Sequence, residues 1–177
     1  MEMKRITTSD TDLYSFMERL LTQAFPPEEY RNLKQLREYT DHIPHFHNNI
    51  ILQENLPVGF ITYWNFDDFS YVEHFAVDPG QRNGGYGKVI LNNLVQQLNR
   101  PIVLEVEIPD EEMAVRRINF YKRQGFELWE NPYMQPPYKE GDNFLPMLIM
   151  AHGNINSGKD FDNVKSIIHR EVYNVKS

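Results

Sequence analysis

The stretch "FAVDPGQRNGGYGKVILNNLV", Phe75 to Val95, does most to restrict what this chain can fold into. In "SYVEHFAVD", just overlapping it, β-branched and aromatic residues alternate: Tyr71, Glu73, Phe75 and Val77 would share one face of a strand, and Val72, His74 and Ala76 the other. Behind the glycines, Ile90, Leu91, Leu94, Val95 and Leu98 recur at helical spacing. The order is strand, glycine loop, helix. Gly84, Gly85 and Gly87 leave backbone N–H groups unobstructed, and a helix opening there adds unpaired donors and about half a unit of positive charge. Such a loop is either a tight connection or a cradle for an anion, with Arg82 and Lys88 as local cations.

The flanking sequence alternates between helical and strand periods. "DTDLYSFMERLLTQAF" spaces Leu13, Phe16, Met17, Leu20, Leu21 and Phe25 as a helix, with Ser9 or Asp10 as N-cap and Pro26-Pro27 as a stop. "PEEYRNLKQLREYTDHI" predicts a second helix carrying Tyr30, Leu33, Leu36 and Tyr39, with Glu28 and Glu29 in its first turn. "NNIILQENLPVGFITYW" reads as a hairpin turning over 54–57. "PIVLEVEIP" and "GFELWE" are strands that bracket a helix running from Asp110 to Gly125, the pattern of a crossover unit. "NPYMQPPYKEGDN" reads as a Pro-rich loop, "FLPMLIMA" as a last strand and "DFDNVKSIIHREVY" as a closing helix. The fold expected is mixed α/β (α+β), an antiparallel meander followed by a parallel pair. Residues 1–177 are expected to form one domain, with 154–177 as a C-terminal loop and helix. Ile167, Ile168, Val172 and Tyr173 would pack that helix on its own sheet or on a partner, which leaves a homodimer open.

Composition excludes several function classes. With 41% hydrophobic residues in 177, the chain can bury an ordinary core. It has no apolar run near the ~18 residues of a membrane span and no secretion signal at its N-terminus, so a soluble, cytoplasmic protein without a membrane partner is expected. The absence of cysteine excludes disulfides, thiolate metal sites and a cysteine nucleophile. A net charge of -7 argues against a nucleic-acid partner. "GNINSGKD" nearly spells a nucleotide P-loop, but Asp160 stands where a magnesium-binding hydroxyl is needed. His42, His45 and His47 in "DHIPHFH" lack a further ligand cluster, and no metal is expected.

Two ordered motifs carry a resemblance. Arg82, Gly85 and Gly87, with Val77 and Pro79 ahead of them, resemble the Arg/Gln-x-x-Gly-x-Gly/Ala signature of the GNAT N-acetyltransferase superfamily. Downstream, "INFYKRQGFEL" is similar to that superfamily's Phe-Tyr-x-x-x-Gly-Phe segment. The likeness is clearest from Leu56 to Trp129. Ala114 and Arg117 depart from it, standing where members often carry Asn and Ala. Arg116 and Arg117 would then either reach a phosphate or an acidic substrate, or pair with Glu111 and Glu112.

The resemblance implies a mostly antiparallel sheet splayed between its fourth and fifth strands, with helices on both faces. It implies acetyl-CoA as co-substrate and transfer of acetyl to a primary amine, on a small molecule or a peptide, by direct attack in a ternary complex. The diphosphate would lie on the amides of Arg82, Asn83, Gly84, Gly85, Tyr86, Gly87 and Lys88, and the pantetheine arm along Phe75, Ala76 and Val77 where that strand leaves the next, 102–108. Tyr121 occupies the position of the residue that assists the leaving thiolate; periodicity alone reads it as a core aromatic. For the base that takes the amine proton, Glu73 is the first candidate, with burial beside aromatics raising its pKa, against a structural ion pair; Glu105 and Glu107 are rivals. Tyr133, Met134 and Tyr138 would border the acceptor. A non-catalytic acyl-CoA-binding domain is the alternative.

Overall fold

The computed structural model describes residues 1–176, with Arg82 and Asn83 described by their backbone alone. The order is β1 (Glu2–Arg5), α1 (Thr11–Ala24), α2 (Leu33–His42), β2 (Phe46–Gln53), β3 (Leu56–Asn65), β4 (Ser70–Val77), α3 (Tyr86–Leu98), β5 (Ile102–Glu107), α4 (Glu112–Arg123), β6 (Glu127–Gln135), β7 (Leu145–His152) and α5 (Ser157–Glu171). The strands form one sheet ordered β1-β2-β3-β4-β5-β7-β6. Only β4 and β5 pair in parallel, joined by α3. The crossover unit expected between β5 and β6 is interrupted, because β7 pairs antiparallel with both and lies between them.

Each face of the sheet carries its own core. Tyr14, Met17, Leu20, Leu36, Val164 and Ile168 bring α1, α2 and α5 onto one face, against Trp64 and Tyr71. On the other, Ile90, Leu91 and Leu94 of α3 and Ile118 of α4 cover Ile61, Val72 and Leu104. Burying a side chain of this size stabilises by about 1.5–3 kcal/mol before the ordering cost. Ile168, Val172 and Tyr173 all lie in the first of these cores, so the apolar face of α5 is occupied within the chain.

Four local differences from the sequence reading matter for the site. First, the helix expected from Glu28 is broken: Pro27–Glu29 form a single 3-10 turn, Tyr30 is extended (φ -142°, ψ 157°), and α2 starts only where the Asn32 side chain accepts from the amides of Lys34 (2.9 Å) and Gln35 (3.4 Å). The link turns Arg31 inward, where it is 2% exposed. Second, β6 runs on through Tyr133 and Met134 to Gln135, with an irregularity after Trp129, so the proline-rich loop shrinks to 136–144. Third, "GNINSGKD" is a helix cap: the Asn156 side chain accepts from the amides of Gly158 (2.8 Å) and Lys159 (3.2 Å).

The fourth lies in β4. Thr62 of β3 pairs with His74, but the next residue, Tyr63, pairs with Val72, leaving Glu73 as an extra residue in a β-bulge. One inserted residue inverts the alternation. Tyr71 and Ala76 therefore face the α1/α5 core, while Val72, Phe75 and Val77 face the α3/α4 core. Glu73 does not share a face with Phe75 and Val77, as strict alternation would have it.

Candidate active site

The parallel ladder between β4 and β5 covers only Ser70–Ile102, Tyr71–Val103 and Val72–Leu104; beyond it the strands diverge. The fork opens a cleft of about 470 Å³, where Phe75, Ala76 and Val77 of β4 meet Gly85, Gly87 and Lys88 at the start of α3, and Tyr121 of α4. Glu73, Glu105, Glu107, Glu29 and Tyr138 line the same cleft. Gly84 and Tyr86 are beside it rather than in its wall, the Tyr86 ring covering Gly84 so closely that an added Cβ would lie 2.8 Å from it. The side chains of Arg82 and Asn83 lie outside the described residues.

The glycine loop leaves open space at the start of α3. Asp78 caps the 3-10 turn Pro79–Gly84 by accepting from the Gly80 amide at 2.9 Å. Gly85 then takes a left-handed conformation (φ 68°, ψ 19°) that redirects the chain into α3, and a Cβ there would meet nothing within 4 Å. A Cβ on Gly87 would meet only the Phe120 ring, at an ordinary 3.5 Å. A helix normally gains up to ~1 kcal/mol from Ala over Gly. The protein's own packing therefore does not require Gly87, and the space in front of it suits a close-lying anion. The first turn of α3 contains no acidic residue to compete for its amides. Together with the diverging strand edge, this donor set fits the diphosphate and extended arm of an acyl-CoA.

The carboxylates at the fork differ sharply in their partners. The Glu73 side chain is 1% exposed and holds a buried ion pair, Arg31 Nη2 lying 2.7 and 2.6 Å from its two oxygens. Trp64 Nε1 donates to Oε1 at 2.6 Å and the Tyr138 hydroxyl to Oε2 at 3.3 Å. Burial alone would raise this carboxyl; Arg31 foremost, then His74 and the hydrogen bonds, outweighs it and holds the group below its ordinary value. The expected upward shift of Glu73 is thus reversed by a cation that broken helical periodicity hid. His74, buried against Phe25, is pushed down by burial despite Glu73. Its Nε2 lies 2.8 Å from the Glu29 carbonyl, which can only accept, so the proton sits on Nε2.

Glu105, the first residue after the last β4–β5 pair, has only neutral hydrogen-bond partners among the described residues. Its Oε1 accepts from the Tyr71 and Tyr173 hydroxyls and from Gln135 Nε2 (3.1 Å), while Oε2 accepts from Tyr133. Burial raises this carboxyl above its ordinary value, the four hydrogen bonds opposing it. Glu107 faces Arg117 at 3.5 Å, half exposed. Glu29 is raised by burial first and by Glu107 second. Arg116 pairs with Glu112 at 2.6 Å in an exposed i,i+4 contact, whereas Arg117 lines the cleft. Tyr121 is 8% exposed between Phe120 and Phe126, and burial pushes its phenol up to about 12. No partner for its hydroxyl occurs among the described residues.

Sequence reasoning missed Arg31, Trp64, Tyr71, Gln135 and Tyr173 as neighbours of the two carboxylates, and no periodic pattern links them. His47 stacks on Tyr63 and His45 packs tilted against Trp64. Among the described residues no group of His, Asp and Glu is placed to hold a metal, and no helix is long and apolar enough to cross a membrane.

A sheet forked beside a glycine-rich helix start, with a tyrosine and carboxylates at the fork, defines an acyl-transfer architecture. Residues 11–126 match the model of the acetyltransferase (GNAT) family, and the chain belongs to that family. A Bacteroides thetaiotaomicron protein provisionally named a GNAT-family acetyltransferase is similar along its whole length: 62% identity, TM-score 0.97, covering 99% of this chain and 100% of that one. The ribosomal-protein-S18-alanine N-acetyltransferase of Escherichia coli shares the fold at 20% identity and TM-score 0.63, covering 90% of this chain and 97% of its own. So does an aminoglycoside 6'-N-acetyltransferase complexed with coenzyme A, at 16% identity and TM-score 0.60, covering 88% and 98%. No curated protein matches in sequence.

Proposed function

We propose that this acetyltransferase moves the acetyl group of acetyl-CoA to a primary amine by direct attack in a ternary complex, with Glu105 receiving the amine proton and Tyr121 assisting the departing sulfur. The observation that carries the reading is the pairing, at one fork, of a carboxylate with no cation on it and a phenol with no partner among the described residues. An alkylammonium has a pKa of about 10 and no lone pair at neutral pH, so attack needs a proton acceptor. Among the described residues only Tyr133 donates to Oε2 of Glu105, which leaves room for an ammonium N–H. Glu73 is a weaker candidate because Arg31 neutralises it and lowers its basicity. In this reading it holds the acceptor wall.

Tyr121, with a phenol near 12, stays protonated through neutral pH. Complete transfer of its proton to a thiolate of pKa about 8.5 would be uphill, so its contribution is a hydrogen bond that strengthens as charge develops on sulfur. The amides opening α3 and Lys88 would hold the diphosphate, and Phe75, Ala76 and Val77 the arm.

A free-thiol release assay with acetyl-CoA and a panel of amines tests the proposal; thioester binding with no release across the panel would instead support an acyl-CoA-binding domain. Tyr121→Phe is expected to lower kcat about 10- to 100-fold, the worth of one hydrogen bond to a charged group, with acetyl-CoA affinity unchanged by calorimetry. Gly87→Ala is expected to weaken acetyl-CoA binding at least tenfold while the melting temperature holds or rises. Unaltered affinity in that variant would remove the cradle assignment.

A further inference from the structure

We infer that the segment just after α5 belongs to the catalytic apparatus, with Tyr173 acting as a positioning residue whose hydroxyl orients the Glu105 carboxylate through Oε1. This rests on the reading of Glu105 as proton acceptor. Tyr173 lies well beyond residues 11–126 that define the family, so a motif-based reading of catalytic residues passes over it. Its phenol donates to Glu105 Oε1 and lies 3.3 Å from the Tyr71 hydroxyl, which donates to the same oxygen. The preceding residue, Val172, accepts from Arg31 Nη1 through its carbonyl at 3.3 Å. The Tyr173 ring packs 4.9 Å from that of Tyr138, whose hydroxyl reaches Glu73. Two adjacent residues thus touch the partners of both buried carboxylates.

The geometry has a functional logic. Three donors gathered on Oε1 fix the carboxylate's rotation, and Oε2 is left with Tyr133 alone among the described residues. Stability by itself would favour an apolar residue or a cation here, because a buried carboxylate held by neutral donors retains much of its desolvation cost. The groups facing Glu105 are Tyr71 from β4, Tyr133 and Gln135 from β6, Tyr173 after α5, and Tyr138 from the loop 136–144. Its opposite number on β7 is apolar Ile149. Glu107, two residues along, faces Arg117, and Glu73 is neutralised by Arg31. Burial favours the protonated carboxyl, and the three hydroxyls with Gln135 draw it back toward the ionised form. Tyr173 is itself held firmly, since Val172 and Ile168 are buried beside it and the Val172 amide donates to the Ile168 carbonyl at 2.9 Å.

Removing one donor from the ionised form shifts the carboxyl to a higher pKa, and a base must be ionised to act. Tyr173→Phe is expected to move the acid limb of kcat/KM up by about one pH unit, with the KM for acetyl-CoA unchanged. Carboxyl ¹³C titration of Glu105, its resonance identified by loss in Glu105→Gln, reads the same shift without turnover. Installing 3,5-difluorotyrosine at position 173 keeps the shape of the side chain and strengthens its donation, so the titration should move the opposite way; this variant decides the matter if Y173F does not fold. A lowered melting temperature with the Glu105 titration unmoved would reduce Tyr173 to a packing residue and overturn the inference. Retention of full kcat in Glu105→Gln would instead remove the proton-acceptor reading, and with it the catalytic meaning of any shift the titration shows.

Discussion

Glu105→Gln is expected to lower kcat by about 10²- to 10⁴-fold, the usual contribution of a positioned general base. The melting temperature should change little, because the Gln carbonyl still accepts and the tyrosine hydroxyls can rotate to suit the amide. In the unaltered enzyme, activity should fall as pH falls through the Glu105 pKa. Burial raises that pKa, so the acid limb should lie above the ~4.3 of an ordinary glutamate. A stopped assay of thiol release across pH measures both effects. A Gln variant within threefold of the parent kcat would exclude Glu105 as base.

Arg31→Met should cost stability rather than chemistry, on the order of 3–5 kcal/mol, because it leaves Glu73 charged and buried with, among the described residues, only Trp64 and Tyr138 donating to it. Adding Glu73→Gln should recover most of the loss, since the orphaned charge is gone while the Trp64 N–H keeps an acceptor. The pH dependence has a definite sign. The folded Glu73 pKa lies below its unfolded value, so the pair stabilises fully above the unfolded value and loses that contribution as pH falls through the folded one. The gap between the parent and R31M/E73Q in urea melts should therefore narrow in acid. The double variant should also keep kcat within about tenfold of the parent; a collapse of kcat there, with Glu105→Gln active, would return the base role to Glu73.

The strand, glycine turn and helix of β4 and α3 were legible because period and punctuation are local properties, and Gly85 carries the positive φ that a turn into a helix needs. β1 escaped notice, since four mostly exposed residues have no readable alternation. The bulge at Glu73 left no trace either: the residues on either side still alternate, and only the pairing partner reveals the extra one. Arg31 reads as part of a helix, but Asn32 starts that helix after it. The tyrosines on Glu105 come from positions 71, 133 and 173, a convergence made by strand order and by the return of α5 to the sheet, and so invisible to any window of sequence. Glu105 and Glu107 were readable as a pair on one face of β5; their opposite electrical surroundings were not.

The fork between β4 and β5 also leaves an open margin in the middle of the sheet. An open sheet margin invites foreign strands, and proteins commonly blunt such margins with charge, proline or a covering segment. Here the two arms converge to full pairing at Val72 and Leu104, so the gap narrows as it deepens. A slender filament can lie along its mouth, whereas a second polypeptide with side chains on both flanks would jam before its main chain came into register. Taper alone thus favours a narrow guest over a full strand at this margin.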